Sequence, residues 1–354
     1  MRILVLINYS SERVQKEIES GLKPAHHLYG VDYLRKERYD IVVVPYDESK
    51  RRSRRKLAEI IYYFFGDVQH QYTCLKLLKK DDIIYAPCQT QTSLLAYLRF
   101  FKIINNKIIS IAHHMPVKGR LAKIKKIFFK IEVKGVFSFP SLSNKVANYI
   151  NALASQPKSP IFTWGPDIAY YDKFILKENP DDIGFFCSGR TGRDYTTMLK
   201  GAELADKELS LYYLSNDGFS SANSKIKLHK LAKEQDFLYD KSLKIMARSR
   251  AICVPLYEEK LSLVGLTSLT DAIGMGKPVI MTRHEFIDID IEKEGIGIWV
   301  DAGKPEAWKD AFNLLSDDKV YKEMSANSLR IRNEYFNYGI FCFQLMKCLS
   351  SAIV

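Results

Sequence analysis

The sequence predicts an α/β protein made of two successive Rossmann-like domains that face each other across a cleft. Short apolar runs rich in β-branched and aromatic residues alternate with segments of helical periodicity, and this alternation is typical of parallel sheets covered by helices on both faces. It breaks once, in the proline-containing segment 154–167, and then starts again. The length of 354 residues also suits two hydrophobic cores.

The predicted elements follow this alternation along the chain. Strands of the first half are predicted at 2–8, 40–46, 82–87, 107–113 and 135–140, with helices near 25–36, 53–65, 90–101, 119–131 and 141–153. Strands of the second half are predicted at 183–189, 209–215, 251–256, 277–282 and 297–303. We expect an N-terminal domain over 1–158, a second domain over 159–330, and a C-terminal helix in 331–354 that crosses between the domains and packs back towards the first.

Composition favours a reduced, cytoplasmic protein. The six cysteines are scattered without a CxxC pair, which is typical of reduced thiols and not of disulfides or a metal site. No uncharged apolar run reaches the roughly 18 residues that a transmembrane helix needs. The apolar start MRILVLIN is interpreted as a first strand, because no small-residue cleavage site follows it.

Charge is distributed unevenly. Residues 1–160 contain 28 Lys and Arg against 13 Asp and Glu, whereas residues 161–354 contain 25 against 28. A strongly basic first half points to an anionic partner, which can be a membrane surface, a nucleic acid or a phosphorylated substrate.

The stretch GLTSLTDAIGMGKPVI, residues 265–280, is the most informative local signal. It follows a predicted strand and has the pattern of a helix start, where unpaired N–H groups and the helix dipole favour an anion. Gly265 and Leu266 would let the backbone approach a ligand, Thr267 and Ser268 could cap the helix or bind phosphate, and Asp271 could accept hydrogen bonds from ribose. Ordinary helix packing and capping explains the same residues equally well.

Two arginines follow the first predicted strand of the second half. Gly189 ends that strand, and Arg190 and Arg193 lie in the loop behind it. Guanidinium groups bind phosphate with paired hydrogen bonds, so these residues could neutralise a diphosphate without a metal; solvated loop arginines are the alternative.

The segment SLTDAIGMGKPVI resembles the donor-nucleotide helix of GT-B glycosyltransferases, particularly the family-four (group 1) bacterial enzymes. FFCSGRTGRDYTTMLKGAELA, residues 185–205, resembles their phosphate-arginine loop, and ISIAHHMP, residues 109–116, resembles a strand that ends in an active-site histidine. The resemblance implies a hexosyltransferase that uses a nucleotide diphosphate sugar and retains anomeric configuration. No DxD-like acidic pair stands at a suitable strand end, so we expect an enzyme that needs neither metal nor cofactor. The resemblance places Asp271 on the ribose and Arg190 on the diphosphate.

The sequence departs from the family pattern at two positions. The family has a glutamate eight residues before the one at the place of Asp271, where this chain has Leu263. Either Glu258 or Glu259 substitutes from a longer loop, or the donor sugar is held differently. The family also has a lysine five residues after its phosphate arginine, where this chain has Tyr195, so that Arg193 or Lys200 would have to serve instead.

Two histidine pairs are candidates for the catalytic and acceptor sides. His113 and His114 end a predicted strand, and the resemblance places one of them, with a slight preference for His114, beside the reacting sugar. His26 and His27 open the first predicted helix and could line the acceptor side, although surface capping explains them as well.

A cationic amphipathic helix is predicted over 118–135. Arg120, Lys123, Lys126 and Lys130 lie on one face, and Phe128 lies on the other. The apolar face comprises Leu121, Ile124, Ile127, Phe128 and Ile131. Together with the run KRRSRRK at 50–56 this favours an interfacial membrane helix; packing of the apolar face on the sheet is the alternative. No nucleic-acid-binding motif accompanies the charge.

These observations predict a glycosyltransferase of polysaccharide or cell-surface glycan biosynthesis at the inner face of the cell membrane. Its acceptor would be a glycan or a lipid-linked molecule. Two alternatives stay open: a sugar-nucleotide epimerase or glycan phosphorylase of the same fold, and a non-catalytic nucleotide-sugar-binding subunit of a transferase complex.

Overall fold

The computed structural model describes residues 1–47, 56–115, 121–175, 184–214, 218–231, 239–258 and 263–353. The chain divides into two compact units. Unit 1 comprises Met1–Ser20, Ala25–Thr163 and Gly339–Val354, and unit 2 comprises Gly21–Pro24 and Trp164–Tyr338. The main break in the chain therefore lies five residues beyond the predicted boundary at 158.

The strands and helices of the described residues alternate along the chain. The strands are β1 Arg2–Val5, β2 Asp40–Val43, β3 Ile83–Ala86, β4 Ile108–Ser110, β5 Phe185–Gly189, β6 Leu209–Tyr213, β7 Ile226–Lys230, β8 Ala251–Val254, β9 Val279–Thr282 and β10 Gly297–Val300. The helices are α1 Ser11–Glu19, α2 Val31–Lys36, α3 Lys56–Phe65, α4 Val68–Leu77, α5 Ser93–Phe100, α6 Ala122–Gly135, α7 Asn144–Leu153, α8 Ile168–Tyr171, α9 Tyr195–Ala205, α10 Tyr239–Ala247, α11 Leu266–Gly274, α12 Pro305–Leu314, α13 Asp318–Glu334 and α14 Tyr338–Ile353.

Unit 1 is built on a parallel sheet in the order β2-β1-β3-β4. Its central strands are fully buried, and Ile3 pairs with Ile41 on one side and with Ile83 on the other. Strands buried on both faces read as continuous apolar runs, which is why β1 and β3 were recognisable. The sheet reverses its strand order between β1 and β3, so the loops after these two strands flank a switch point.

The strand predicted at 135–140 is wrong. Residues 135–141 form only isolated parallel bridges, such as Ile109 with Ser138 and Ala112 with Ser141. Ser110 donates its N–H to Ser138 and Ala112 donates to Pro140, so the segment lies beside β4 as a strand would. Pro140 has no N–H group with which to donate a hydrogen bond to the neighbouring strand, so it interrupts the ladder, as prolines do within sheets.

Unit 2 is built on a six-stranded parallel sheet in the order β10-β9-β8-β5-β6-β7. β7 was not predicted, because its sequence IKLHK alternates polar and apolar residues at the edge of the sheet. The chain builds outwards from β5 to β7 and then returns on the other side of β5 with β8. The switch point of this sheet therefore lies between the loops that follow β5 and β8.

Three helices differ from the sequence prediction. α1 and α4 were not predicted; Ser10 caps α1 and Asp67 caps α4 through side-chain acceptors, a signal that periodicity alone did not reveal. The predicted boundary at 330 falls inside α13, where Ile331 is fully buried in the core of unit 2. Of the predicted C-terminal segment 331–354, only Gly339–Val354 belongs to unit 1.

Candidate functional site

The loop after β5 places one arginine over the end of its own strand. Gly189 ends β5, and a Cβ atom added there would lie 2.2 Å from Nε of Arg193. The glycine therefore makes room for the guanidinium, which lies against the strand end and does not extend into solvent. Asp194 then caps α9 by accepting from Thr197 N–H at 3.2 Å, which fixes the residue next to the arginine.

Arg193 is a half-buried cation without a carboxylate partner in the described chain. Its Nη2 donates to Oγ of Ser268 at 3.1 Å, its Nη1 donates to the carbonyl of Thr191 at 3.2 Å, and its Nε is buried without a hydrogen-bond partner. Burial lowers the pKa of the guanidinium. Since burying an unpaired charge is costly, this arrangement suits a site that receives an anion.

The N-terminus of α11 faces the same side of the unit 2 sheet. Gly265 precedes the helix with φ of +85°, and none of the described side chains caps it. A Cβ at Gly265 would approach Met281 Cε at 2.9 Å and Val254 Cγ1 at 3.0 Å, so a glycine is required here by both conformation and space. The first N–H groups of the helix carry the positive end of its dipole.

Two hydrogen bonds join the loops that carry Arg193 and lead to α11. The N–H of Tyr257 donates to Gly192 at 3.1 Å, and the N–H of Asp194 donates to Pro255 at 3.2 Å. With the contact between Arg193 and Ser268, they hold the guanidinium near the helix N-terminus. The structure thus brings together four of the residues that were predicted to bind the nucleotide sugar: Gly189, Arg193, Gly265 and Ser268.

The other predicted donor residues lie around this centre. Leu266 is half-buried in the first turn of α11, and Thr267 beside it is exposed. Arg190 and Glu258 are exposed in the two loops. Glu259 lies outside the described residues. Their contacts with a donor stay predictions.

Asp271 is buried in unit 2 and already engaged. Its Oδ1 accepts hydrogen bonds from the hydroxyls of Tyr171, at 2.5 Å, and Tyr239, and its side chain is 7 % exposed. Burial raises the pKa of the carboxyl to about 6, which the two tyrosine hydrogen bonds partly oppose. A contact with ribose therefore stays a prediction, and it would have to use Oδ2.

In unit 1, a buried glutamine fixes the histidine pair that follows β4. Oε1 of Gln89 accepts from the N–H groups of His113, at 2.6 Å, and His114, at 3.0 Å, while its Nε2 donates to the carbonyl of His114 at 3.1 Å. The ring Nε2 of His113 lies 2.7 Å from the carbonyl of Pro87. Burial lowers the pKa of His113, although this contact opposes the shift, so the neutral ring donates from Nε2.

The two histidines consequently differ in what they offer. The ring of His113 is tied to the backbone of the β3 loop, whereas the side chain of His114 is exposed. An exposed imidazole next to a fixed backbone can meet a substrate, and this favours His114 over His113 as the reacting group.

His26 and His27 lie in the loop after α1, in a 3₁₀ turn over Ala25–Leu28. Their rings stack with centroids 4.7 Å apart, and the hydroxyl of Tyr9, in the loop after β1, donates to the carbonyl of His27. His26 is fully buried and its pKa is lowered by desolvation. Contact with an acceptor stays a prediction for this pair.

The predicted projection of the basic helix is wrong for Phe128. The ring of Phe128 packs inwards against Phe64, Phe65 and Tyr97, with centroids 5.0 to 5.9 Å away. Instead, Ile124 and Ile127 are exposed, at 47 % and 64 %. The reason is that the buried face of α6 follows Ala122, Phe129, Glu132 and Val133, about one residue step away from the predicted apolar stripe.

The lysines of this helix lie where they were predicted. Lys123, Lys126 and Lys130 are all exposed on α6. Arg120 and most of the run at 50–56 lie outside the described residues. In the described part of the chain no helix is long and apolar enough to cross a membrane, and the same residues contain no cluster of three metal-ligating side chains.

Three residues of these sites were missed from the sequence. Gln89 lies in PCQTQTS directly after β3, and a run of polar residues at a strand end is a usable signal. Tyr171 and Tyr239 reach Asp271 from α8 and α10, 100 and 32 residues away in sequence. No local pattern indicates such contacts.

Comparison with known proteins gives relatives in structure only. No protein-family model matches the chain, and no curated protein matches it. A trehalose-phosphate synthase from Burkholderia vietnamiensis matches with a TM-score of 0.74 at 8 % identity, over 99 % of this chain and 97 % of that one. HepE from Anabaena, in complex with UDP and glucose, matches with a TM-score of 0.66 at 12 % identity, over 99 % and 100 %.

A third solved structure agrees with these two. A glycosyltransferase from Rickettsia africae matches with a TM-score of 0.64 at 14 % identity, over 99 % of this chain and 98 % of that one. The protein thus has the α/β fold of GT-B glycosyltransferases, with two parallel sheets surrounded by helices.

Replacing Gln89 with leucine should loosen the histidine loop. The substitution leaves the N–H groups of His113 and His114 without their acceptor, so we expect their hydrogen exchange to accelerate by about tenfold or more, as the loss of one or two buried hydrogen bonds implies. Exchange mass spectrometry of the peptide covering 111–115 measures this. Gln69→Leu, at an exposed position on α4, is the control; equal exchange in both variants would contradict the role of Gln89.

Asp271 should make the protein less stable as pH rises. The native carboxyl keeps its proton up to about pH 6, whereas an unfolded one releases it near pH 4. The native state therefore binds more protons in this window, and the free energy of unfolding should fall by up to about 3 kcal/mol between about pH 4 and about pH 6.

Asp271→Asn should remove this dependence, because the amide oxygen still accepts from Tyr171 and Tyr239 but never ionises. Urea unfolding of both proteins between about pH 4.5 and about pH 7.5 measures the difference. The variant should be the more stable one at the upper end. Parallel stability curves would show that the Asp271 carboxyl is not desolvated.

Proposed function

We propose that the protein is a metal-independent, retaining glycosyltransferase that moves a sugar from a nucleotide diphosphate sugar to a glycan or lipid-linked acceptor. The observation that carries this proposal is the half-buried guanidinium of Arg193, which has no carboxylate partner among the described residues and lies beside the uncapped N-terminus of α11. Both lie at the switch point of a parallel sheet, where ligands of this fold class bind.

The geometry supports a defined role for each group. As the bond between sugar and diphosphate breaks, negative charge grows on the leaving group, and fixed positive groups stabilise it. Arg193 would supply a guanidinium that is already desolvated, and the N–H groups at Leu266 and Thr267 would supply the helix terminus. Arg190, exposed in the same loop, would add a second charge. His114 would lie beside the reacting sugar.

The structural comparisons support the choice of donor class. HepE was solved with UDP, with UDP and glucose, and with UDP-glucose, and a trehalose-phosphate synthase in the comparison is described as UDP-forming. UDP is therefore the first nucleotide to test, with GDP and ADP as competitors.

Calorimetric titration with UDP, GDP and ADP, with and without magnesium, tests the proposal. We expect one nucleotide to bind with micromolar affinity regardless of magnesium. Arg193→Lys should weaken it by about tenfold or more, since an ammonium cannot replace the paired guanidinium contacts. Arg248→Gln, an exposed arginine after α10 at the opposite edge of the sheet, is the matched control and should bind normally.

Two outcomes would contradict the proposal. If no nucleotide binds to the folded protein, the loop of Arg193 is only structural. If a nucleotide binds but sugar is never transferred in a membrane extract that contains candidate acceptors, the non-catalytic subunit is the better interpretation; interconversion of the donor sugar alone would favour an epimerase.

We further propose that unit 1 docks on an anionic membrane, as a lipid-linked acceptor would require. Exposed apolar side chains on two helices support this, namely Leu57, Ile60 and Ile61 of α3 and Ile124 and Ile127 of α6. The two helices are joined where Phe64 packs on Phe128 and where Nζ of Lys125 donates to the carbonyl of Phe64 at 3.4 Å. Single exposed apolar residues are normal, whereas several of them on two helices that contact each other favour an interaction surface.

The charge of the two helices supports an anionic bilayer as the partner. Lys56 on α3 and Lys123, Lys126 and Lys130 on α6 are all exposed on the same two helices, and the run KRRSRR at 50–55 precedes α3 in sequence. Each basic residue near an anionic surface contributes about 1 kcal/mol, and the isoleucines would insert at the level of the headgroups.

Vesicle sedimentation tests the membrane proposal. Ile124→Ser combined with Ile127→Ser should reduce binding to vesicles of phosphatidylglycerol and phosphatidylcholine by about tenfold. The reason is that two apolar side chains that would be partly buried in the bilayer are lost. Leu204→Ser, at a 53 % exposed position of unit 2, is the matched control. Equal binding of the double variant and the control would contradict the proposal. So would binding of the unchanged protein to purely zwitterionic vesicles that is as strong as its binding to the anionic ones.

A further inference from the structure

A second cationic site lies in unit 1, away from the histidine loop. A cavity of about 700 Å³ is lined by residues of α5, α14 and the segments 136–138 and 156–162. It lies beside the beginning of β4, where the N–H of Phe137 donates to the carbonyl of Ile108 at 2.9 Å. His113 and His114 follow the other end of that strand, so the cavity and the proposed catalytic loop lie at opposite ends of β4.

The charge of this cavity is entirely positive. Arg99, Lys158 and Lys347 line it, and none of the described residues around it is aspartate or glutamate. Burial lowers the pKa of both Arg99 and Lys158, and the charge of Arg99 lowers that of Lys158 further. Two cations that destabilise each other, without a carboxylate between them, form a pocket that an anion would stabilise.

Carbonyl groups at the C-terminal end of α6 bind two of these cations. Nζ of Lys158 donates to the carbonyls of Val133, Lys134 and Val136, and Nη1 of Arg99 donates to that of Gly135 at 2.7 Å. These bonds use all three protons of Lys158. They do not use Nε of Arg99, which is buried without a partner, and they do not involve Lys347, which is exposed at the rim.

A hydroxyl also lacks a partner at this place. Ser159 is 5 % exposed and lines the cavity, and its Oγ is buried without a hydrogen-bond partner among the described residues. A buried polar atom that makes no bond is costly. Arg99 Nε, Ser159 Oγ and Lys347 Nζ are the donors that the bonds to α6 leave available.

We propose that this cavity binds a small phosphate monoester. Such a group carries close to two negative charges at neutral pH and three strong acceptor oxygens, and it matches a site with three cations, no carboxylate and unused donors. The walls contributed by Phe137, Ile161 and Phe162 would contact an apolar or ring portion of the same molecule. This site is separate from the diphosphate site of unit 2 and does not depend on the proposed transferase activity.

Calorimetric titration of the full chain with phenyl phosphate tests the site. The experiment is done in Arg193→Gln, so that the proposed diphosphate site of unit 2 does not contribute. We expect binding to persist in this background and to weaken by about tenfold or more when Lys347→Gln or Ser159→Ala is added. Lys80→Gln, an exposed lysine of unit 1 outside the cavity, is the charge-matched control.

Arg99→Gln should abolish binding, but it also removes a bond to the end of α6, so Lys347→Gln and Ser159→Ala carry the test. The proposal is overturned if these two variants bind as tightly as Lys80→Gln, or if Arg193→Gln alone removes all binding. Competition by short-chain phosphatidic acid would assign the phosphate to a lipid headgroup, and competition by soluble monoesters alone would assign it to a metabolite; either result supports the site.

Discussion

The candidate donor site depends on one unneutralised charge. Arg193 is held by Ser268, by the backbone at Thr191 and by the space over Gly189, yet no described carboxylate compensates it. The surrounding contacts therefore fix its position without reducing its attraction for an anion. Such a group needs no reorganisation when negative charge develops beside it, and this is the condition under which electrostatic stabilisation is largest.

Sheet topology explains how residues that are far apart in sequence meet at each candidate site. In unit 2 the order reverses between β5 and β8, and the loop of Arg193 and the N-terminus of α11 follow these two strands. In unit 1 it reverses between β1 and β3, and Gln89 follows β3 while His113 and His114 follow the adjacent β4. Parallel strands bring their carboxyl ends to one edge, so residues far apart in sequence meet there.

The elements that were predicted from the sequence are those that depend on a local pattern of residues. Buried strands such as β1 and β8 are continuous apolar runs, and glycines marked the start of α11. Prediction from the sequence failed where the signal is not local. β7 at a sheet edge has no apolar run, and a strand at 135–140 is excluded by Pro140. Phe128 and Ile127 are adjacent, and only contact with Phe64 and Tyr97 decides which of them is buried. The partners of Asp271 come from two other helices.

α6 connects the outer surface of unit 1 to the histidine loop. Its outer face carries Ile124 and Ile127, and its buried face carries Glu132, whose Oε1 accepts from Ser93 Oγ at 2.8 Å. Burial raises the pKa of Glu132 to about 7. The same Ser93 Oγ lies 3.3 Å from the carbonyl of Gln89, the residue that fixes His113 and His114. Ser93 therefore contacts both the buried face of α6 and the backbone of the residue whose side chain holds the histidine loop, in the close-packed interior of unit 1.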